Sequence, residues 1–345
     1  MGDSAATVSV LKPLAGAEPS LYDDLRSFAE QDYPRFEIVL GVGDPGDEAL
    51  KVASALRRDL PEKKIVPVIG SPVRASNLKV ANLEAMLPAA TGDLLLLSDS
   101  DIRVGPSYLT AVTAPLADPG VGAVTCLYKG VPTGGFWSAL AALHINYGFL
   151  PSAILASKVG LGGGCFGATI ALRREVLDKI GGFAPLREEL ADDYRLGERV
   201  RALGLSVVLS PYLVHHRVSE ESFLSLWRHE LRWARTIRTV APLGYAASLF
   251  EHPLALSMLL AALLRFDLTS CGFLVISCAL RLSAAGKVAQ ALGVEKGGLW
   301  LIPLGDALSF VVFVASFFGR TVFWRGRRFR LAASGRITLD GETAR

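Results

Sequence analysis

The residues with the most chemical potential are acidic and fall at three points of the chain. The segment SDSDIRV (98–104) places Asp99 and Asp101 one residue apart. Two carboxylates so spaced can hold a divalent cation that also grips a diphosphate, because Mg²⁺ and Mn²⁺ take oxygen ligands and share their coordination with substrate phosphates. An Asp-Ser-Asp also serves as an ordinary turn. Its context argues for more: Leu94–Leu97 is an unbroken apolar run, as in a strand buried on both faces, and open parallel sheets bind ligands at the ends of such strands. GVGDPGDEA (41–49) closes an earlier strand with Asp44 and Asp47. An acid at Asp44 can accept hydrogen bonds from a nucleotide base or ribose, although taken alone a Pro-Gly turn with Asp47 capping the next helix is the stronger reading. LADDYRLGERV (190–200) starts a helix with Asp192 and Asp193, where the helix dipole favours acids and where a carboxylate can act as general base.

Basic and glycine-rich segments supply possible partners. SNLKVANL (76–83) carries Lys79 between Asn77 and Asn82; the lysine is either solvated or a point charge for a diphosphate. Residues 160–183 are dense in glycine (Gly160, Gly162, Gly163, Gly164, Gly167), which permits close backbone approach to a ligand or a simple flexible turn. In SLWRHELRWARTIR (225–238) Arg228, Arg232, Arg235 and Arg238 recur at helical spacing with Trp233 among them, the pattern of a helix on a membrane surface or beside a diphosphate. His215 and His216 are neighbours on an expected strand and so point to opposite faces, which favours structural roles over a metal site. The four cysteines are too scattered for a disulfide framework or a zinc site, and a reducing, cytosolic setting fits the polar part of the chain.

These residues need a scaffold, and the pattern predicts one. Strands are expected at 8–14, 36–42, 64–70, 93–99, 121–127 and 205–211, and helices at 21–31, 47–60 and 107–116. This alternation is the signature of an α/β domain with a mostly parallel sheet flanked by helices.

Composition changes after about residue 240. The 345 residues carry 36 Lys+Arg against 33 Asp+Glu, and mean hydropathy is +0.37. Residues 251–319 hold only eight charged side chains, while the last 26 hold seven Arg against two acids. Apolar segments at 246–264, 268–280 and 299–318 are each interrupted or short against the roughly 20 residues of an upright span. Buried helices of a soluble domain are the plainer alternative, but RTVFWRGRRFR (320–330) alternates Arg and aromatic residues as at a cytoplasmic membrane boundary. The net charge of +3, without a basic stripe interleaved with aromatics, argues against a nucleic-acid partner.

In order, SVLKPLAGAEPSLYDDLRSFAEQDYP (9–34), VGD (42–44), LKVANL (78–83), SDSDIRV, GATIALRREVLDKIGGF (167–183), ADDY (191–194) and LRW (231–233) resemble the ceramide glucosyltransferase-like branch of the family 2 glycosyltransferases. DPGVGAVTCLYKG (118–130), PTGGFWS (132–138) and RHELRWARTIR (228–238) are most similar to its bacterial hopanoid-biosynthesis members. The resemblance implies a GT-A nucleotide-sugar-binding fold and an inverting enzyme. Such an enzyme transfers GlcNAc or glucose from a UDP-sugar donor to a hydroxyl of a membrane lipid acceptor, with Mg²⁺ or Mn²⁺ as cofactor. Carried over by motif, Asp44, Lys79, Asp99 and Asp101 bind the nucleotide sugar, Asp99 and Asp101 hold the metal, and Asp193 is the catalytic base. Arg232, Trp233 and Asp192 serve the acceptor or diphosphate. His229 stands where the branch has Gln or Arg.

The expected organisation is a catalytic domain over 1–240 with an interfacial helix near 219–240, membrane-associated helices over 241–324, and a basic cytosolic tail over 325–345. The catalytic domain is expected to face the cytoplasm at a bacterial inner membrane. Members of the branch usually start with a membrane helix before the first strand, whereas here the first strand is expected by Val8, so attachment is expected to rest on the C-terminal segments. A cytosolic domain and a cytosolic tail need an even number of crossings, so 246–264 is expected to re-enter or lie in the interface. The competing readings are a ceramide glucosyltransferase, a processive polysaccharide synthase, and a non-catalytic lipid-binding membrane protein.

Overall fold

The computed structural model describes residues 6–70, 74–160, 163–294 and 298–340; Gly162 of the glycine-dense stretch and the last five residues lie outside these. Strand and helix alternate through the first hundred residues: β1 (Val8–Leu14), α1 (Leu21–Ala29), β2 (Phe36–Val42), α2 (Ala49–Asp59), β3 (Ile65–Ile69), α3 (Leu78–Met86) and β4 (Leu94–Leu97). The two-residue β5 (Ile102–Arg103), α4 (Tyr108–Thr113) and the long β6 (Val121–Pro132) follow. Next come α5 (Phe136–His144) and α6 (Leu150–Lys158), joined by one π-helical turn, then β7 (Ile170–Arg173), α7 (Arg174–Lys179), α8 (Asp192–Ala202) and β8 (Ser206–Val218). After this the chain is helical through α9 (Phe223–Val240), α10 (Pro242–Ala247), α11 (Pro253–Leu263), α12 (Leu268–Leu292) and α13 (Ile302–Ser316). It ends in β9 (Thr321–Trp324), β10 (Arg327–Leu331) and β11 (Ile337–Leu339).

Two compact units result, Met1–Tyr128 with Ala156–Arg217, and Lys129–Leu155 with Val218–Arg345. These are cut differently from the division by composition, because residues 129–155 and 218–240 group with the C-terminal helices.

The first unit is built on the sheet ordered β3-β2-β1-β4-β7-β6-β8-β5. β1 runs parallel to both β2 and β4, whereas β7 is antiparallel to β4 and β5 antiparallel to β8. The four leucines of β4 explain why that strand is central: Leu94 and Leu96 join Val8, Val10 and Leu40 on one face, and Leu95 and Leu97 join Leu11, Val39 and Leu83 on the other. Each such side chain removed from water contributes about 1.5–3 kcal/mol. The parallel strands put the ends of β1, β2 and β4 on one edge, directly before Asp44 and Asp99.

The second unit departs from expectation in its helices. Leu268–Leu292 is one helix of 25 residues, not an apolar stretch ending at 280. At about 1.5 Å per residue it exceeds the roughly 30 Å bilayer core. It passes through Arg281 because Asp306 on α13 receives that guanidinium at 2.7 and 2.9 Å, and the Tyr147 carbonyl takes a third N–H at 3.0 Å. Asp267 caps its start by accepting from the Ser270 N–H, and Gly293, left-handed at φ +60, ends it. Leu299–Ser316 and Phe136–Lys158 are also long and apolar enough to cross a membrane; the latter escaped the sequence reading because it interrupts the strand pattern. The segment 246–264 falls in two helical pieces, Pro242–Glu251 and Pro253–Leu263, bent by 64° at His252-Pro253.

The basic C-terminal segment is folded, as an antiparallel sheet of β9, β10 and β11. Alternation buries Phe329 and Leu331 while Arg328 and Arg330 face out, and Ile337 of β11 is buried as well. α9 differs from a helix with a uniformly available basic face. Arg235 donates to the carbonyls of Phe318 and Thr321, and Arg228 and Arg238 lie over the rings of Phe323 and Phe317 at 4.7 and 5.5 Å.

Candidate active site

The loop after β4, the first turn of α3, the first turn of α8 and the backbone at Gly167 meet at the sheet edge. Lys79 Nζ lies 2.6 Å from Asp99 Oδ1 and 3.7 Å from Asp192 Oδ2. Asn77 caps α3 by accepting from the Val80 N–H, and its amide donates to Asp192 Oδ1 at 3.2 Å, so one cap positions both the lysine and an acid. Asp193 is fixed by two backbone N–H groups: Oδ2 accepts from Gly167 and Oδ1 from Tyr194, both at 2.8 Å.

A Cβ on Gly167 would come within 3.1 Å of Asp99 Oδ2 and 3.3 Å of both Asp193 Oδ2 and Lys79 Nζ. A side chain at Gly167 would therefore meet all three charged groups at once. The neighbouring glycines serve a related purpose, since a Cβ on Gly164 would sit 2.8 Å from the Tyr194 Cα. They let this loop lie directly on α8.

Electrostatics separate the charged groups. Burial, and next the charge of Asp192, raise Asp193 to about 6 against the opposing pull of Lys79. Burial alone would lower Lys79, but Asp192, Asp99 and Asp193 together hold it above the ordinary lysine value.

A second cluster adjoins Asp101, and two of its members were not expected there. β5 pairs with β8 in the register Ile102↔His216, which brings His216 Nε2 to 3.1 Å from Asp101 Oδ2. His216 thus meets Asp101 in a hydrogen bond, and no metal-capable cluster of three or more ligands forms among the described residues. Asp101 Oδ1 is buried and has no hydrogen-bond partner among the described residues. Burial alone would raise this carboxyl, but the charge and hydrogen bond of His216 hold it at about 2.

Lys12 on β1 is fully buried beneath the loop. Its Nζ donates to the Asp99 carbonyl, lies 3.4 Å from Ser98 Oγ, and sits 3.8 Å over the Phe28 ring. Burial lowers it to about 7 against the charges of Asp101, Asp99 and Asp24. Sequence reading passed over Lys12 because an isolated lysine in a strand carries no motif; its one signal was a charge inside an otherwise apolar run.

The unpartnered Asp101 Oδ1 is an oxygen suited to a Mg²⁺ or Mn²⁺, but no cluster of three or more His, Cys, Asp or Glu ligands forms among the described residues. Asp99 makes its closest contact with Lys79 instead.

The remaining expected residues stand elsewhere. Asp44 is exposed at the end of β2, where Oδ1 accepts from the Gly46 N–H at 2.8 Å, and Asp47 holds the Gly16 N–H at 2.9 Å. Asn82 is structural, donating to the Gly41 carbonyl at 2.8 Å. Arg232 and Trp233 belong to α9 in the second unit. There the Trp233 ring meets His229 edge-on at 4.5 Å, and His229 Nδ1 lies 2.5 Å from Glu220 Oε1.

Comparison with known proteins gives the family and the fold. The family profile described as glycosyl transferase family 21 matches residues 2–337. Ceramide glucosyltransferase 1 of Caenorhabditis elegans is 24% identical over 343 residues, 96% of this chain and 72% of that one. Ceramide glucosyltransferase 3 of the same organism is also 24% identical, but the match covers 66% of this chain and only half of the relative. The probable glycosyltransferase YdaM of Bacillus subtilis is 25% identical over 71% of this chain and 58% of its own. Among solved structures, a mannosyltransferase from Pyrobaculum calidifontis in complex with GDP-Man and Mn²⁺ superposes with a TM-score of 0.54 at 19% identity, over 92% of this chain and 90% of that one. The fold is GT-A-like.

Proposed function

This chain belongs to glycosyl transferase family 21, and from that premise we propose that it transfers a hexose from a UDP-sugar to a hydroxyl of a membrane lipid with inversion at the anomeric carbon. The observation that carries the reading is the juxtaposition of Lys79, Asp99, Asp192 and Asp193 around Gly167 at the sheet edge.

Asp193 is the base. It takes the proton of the acceptor hydroxyl while that oxygen bonds to the anomeric carbon, and the bond from that carbon to the diphosphate breaks with its electrons leaving on UDP. Its raised pKa of about 6 suits a group that must be ionised near neutrality and still accept a proton. The backbone N–H groups of Gly167 and Tyr194 aim the carboxylate. Lys79 supplies a fixed positive charge where charge grows on the leaving group, and Asp44 binds the nucleotide. Asp192 keeps Lys79 in place, and Arg232 and Trp233 serve the acceptor or diphosphate. Asp101, with Asp99, would hold a Mg²⁺ or Mn²⁺, which when bound would neutralise diphosphate charge as a Lewis acid, and His216 positions Asp101 through its hydrogen bond.

Asp193→Asn is expected to lower turnover by about 10²–10⁴-fold while UDP-sugar binding stays within about twofold; unchanged turnover removes Asp193 as base.

For the acceptor, the segments PTGGFWS and RHELRWARTIR favour a hopanoid and a bacterial inner membrane, with the catalytic unit on the cytoplasmic side. The ceramide glucosyltransferases among the relatives favour ceramide. Mass spectrometry of products from UDP-GlcNAc and UDP-glucose with each lipid class separates the two.

A further inference from the structure

The arginines of the C-terminal sheet take no part in the transfer chemistry. Residues 320–340 carry six of them, Arg320, Arg325, Arg327, Arg328, Arg330 and Arg336, against a single acid, Asp340. All six are exposed. Strand pairing gathers two of them on one face, because residues directly opposite each other in an antiparallel pair point the same way. Arg328 stands opposite Phe323, and Arg330 opposite Thr321 on one side and Thr338 on the other. The reverse face is closed by Val322, Phe329, Leu331 and Ile337, all buried. Asp340 reaches both Arg328 and Arg330, at 2.7 and 3.6 Å, so one carboxylate answers two guanidinium groups. Exposed ion pairs add little stability, so this one does not account for the cluster.

The sheet follows directly on an apolar helix. Only four residues separate Ser316, the end of α13, from Thr321, the start of β9. That tether reaches at most about 18 Å. The exposed rings of Phe317, Phe318 and Phe323 mark the junction. α9 adds cations to it: Arg228 lies 4.7 Å over the Phe323 ring, Arg238 lies 5.5 Å over Phe317, and Arg235 donates to the carbonyls of Phe318 and Thr321. Apolar helix, aromatic rings and guanidinium groups thus follow one another in the order of a bilayer's hydrocarbon, interface and headgroups.

We propose that the arginine face of this sheet, with Arg228 beside it, binds the phosphate headgroups of anionic lipids. A guanidinium donates in pairs to phosphate oxygens, and a bilayer supplies many such groups side by side, as neighbouring arginines require. A zwitterionic surface offers the same phosphate but cancels its charge with an adjoining cation, so it does not offset the repulsion among arginines held this close. A nucleic acid would meet the same charges, but the short tether to α13 and the aromatic rings along it favour a membrane. The proposal needs α13 in the bilayer and does not depend on the sugar-transfer reading.

The test is hydrogen–deuterium exchange on the full-length protein in vesicles of phosphatidylcholine alone and of phosphatidylcholine with about 30 mol% phosphatidylglycerol. Peptides from 320–340 are expected to exchange at least about threefold more slowly in the anionic vesicles, and about 0.5 M salt should remove the difference. In the double variant Arg328→Gln, Arg330→Gln the two vesicles should give the same exchange. Asp340→Asn keeps the arginines and removes the acid, so it should widen the difference, a gain that misfolding does not imitate. Equal exchange of the unaltered protein in both vesicles, a difference that survives the double substitution, or one that Asp340→Asn fails to widen overturns the proposal. Equal exchange in the two vesicles together with slowing by a soluble oligonucleotide would overturn it in favour of a nucleic-acid face.

Discussion

Asp193 sits among charges of both signs, and its behaviour follows from their balance. Because burial and Asp192 raise it to about 6, it is ionised and competent as a base above that pH and protonated below it. The expected profile of kcat/KM therefore rises about tenfold per pH unit up to roughly 6 and then levels; a flat profile between pH 5 and 8 contradicts the assignment. Gly167 offers a second test. A methyl group there meets Asp99, Asp193 and Lys79 within 3.1–3.3 Å, closer than side chains normally tolerate. Gly167→Ala should lower kcat by at least about tenfold with little change in melting temperature, since a sub-ångström displacement of reacting groups is costly. Equal kcat would show that the three groups need not converge. The acidic residues were readable because Asp99, Asp101 and Asp193 follow recognisable boundaries; His216 and Lys12 were not, because each reaches the site through a strand neighbour far away in sequence.

Elements place these side chains, and one buried acid locks the first three strands in register. Glu37 on β2 accepts from Ser9 Oγ on β1 at 2.6 Å, from the Thr91 N–H at 2.5 Å and from Thr91 Oγ1 at 2.9 Å, with Lys64 2.5 Å away. Burial alone would raise its pKa, but the hydrogen bonds from Lys64, Ser9 and Thr91 outweigh it and hold the carboxyl at about 2. A depressed folded-state value contributes stability that is complete above the unfolded value of 4.5 and is lost as pH falls toward 2. Glu37→Gln is expected to cost about 1–3 kcal/mol at pH 7. The gap in melting temperature to the unaltered protein should narrow below about pH 4. A gap independent of pH would mean that shape, not charge, is what Glu37 supplies. β1, β2, β3, β4, β6 and the first half of β8 were legible from their apolar runs, whereas the five-residue β10 was hidden by its arginines. β5 and β7 were too short to show a period, yet they complete the sheet that delivers His216.

At the scale of the whole chain, the apolar helices differ in what they can do. Phe136–Lys158 is long enough to cross a membrane, but β4 before it pairs with β7 after it. A single crossing would place the two strands on opposite sides, so the sheet is incompatible with this segment making one. Leu268–Leu292 and Leu299–Ser316 have no such constraint and make an even pair. Reporter tags at the two ends are expected on the same side of the membrane, and one inserted at Val294, between the two helices, on the other. Opposite sides for the two ends would require the bent segment 242–263 to cross as well. For the same reason, removing 251–345 is not expected to abolish membrane attachment, as residues 136–158 remain.

What the sequence determined by itself was the set of local signals: strand and helix periodicity, an Asp-Ser-Asp after a doubly buried strand, a pair of acids opening a helix, and an apolar second half. Each depends on residues within one or two turns of each other. Only the tertiary structure decided which distant groups share a site. Antiparallel pairing put His216 on Asp101, the face of β1 put Lys12 beneath Asp99, and the guanidinium of Arg281 became tolerable on an apolar helix because Asp306 faces it. Such encounters depend on register and packing over tens to more than a hundred residues, and a periodicity of two or 3.6 carries no information about them.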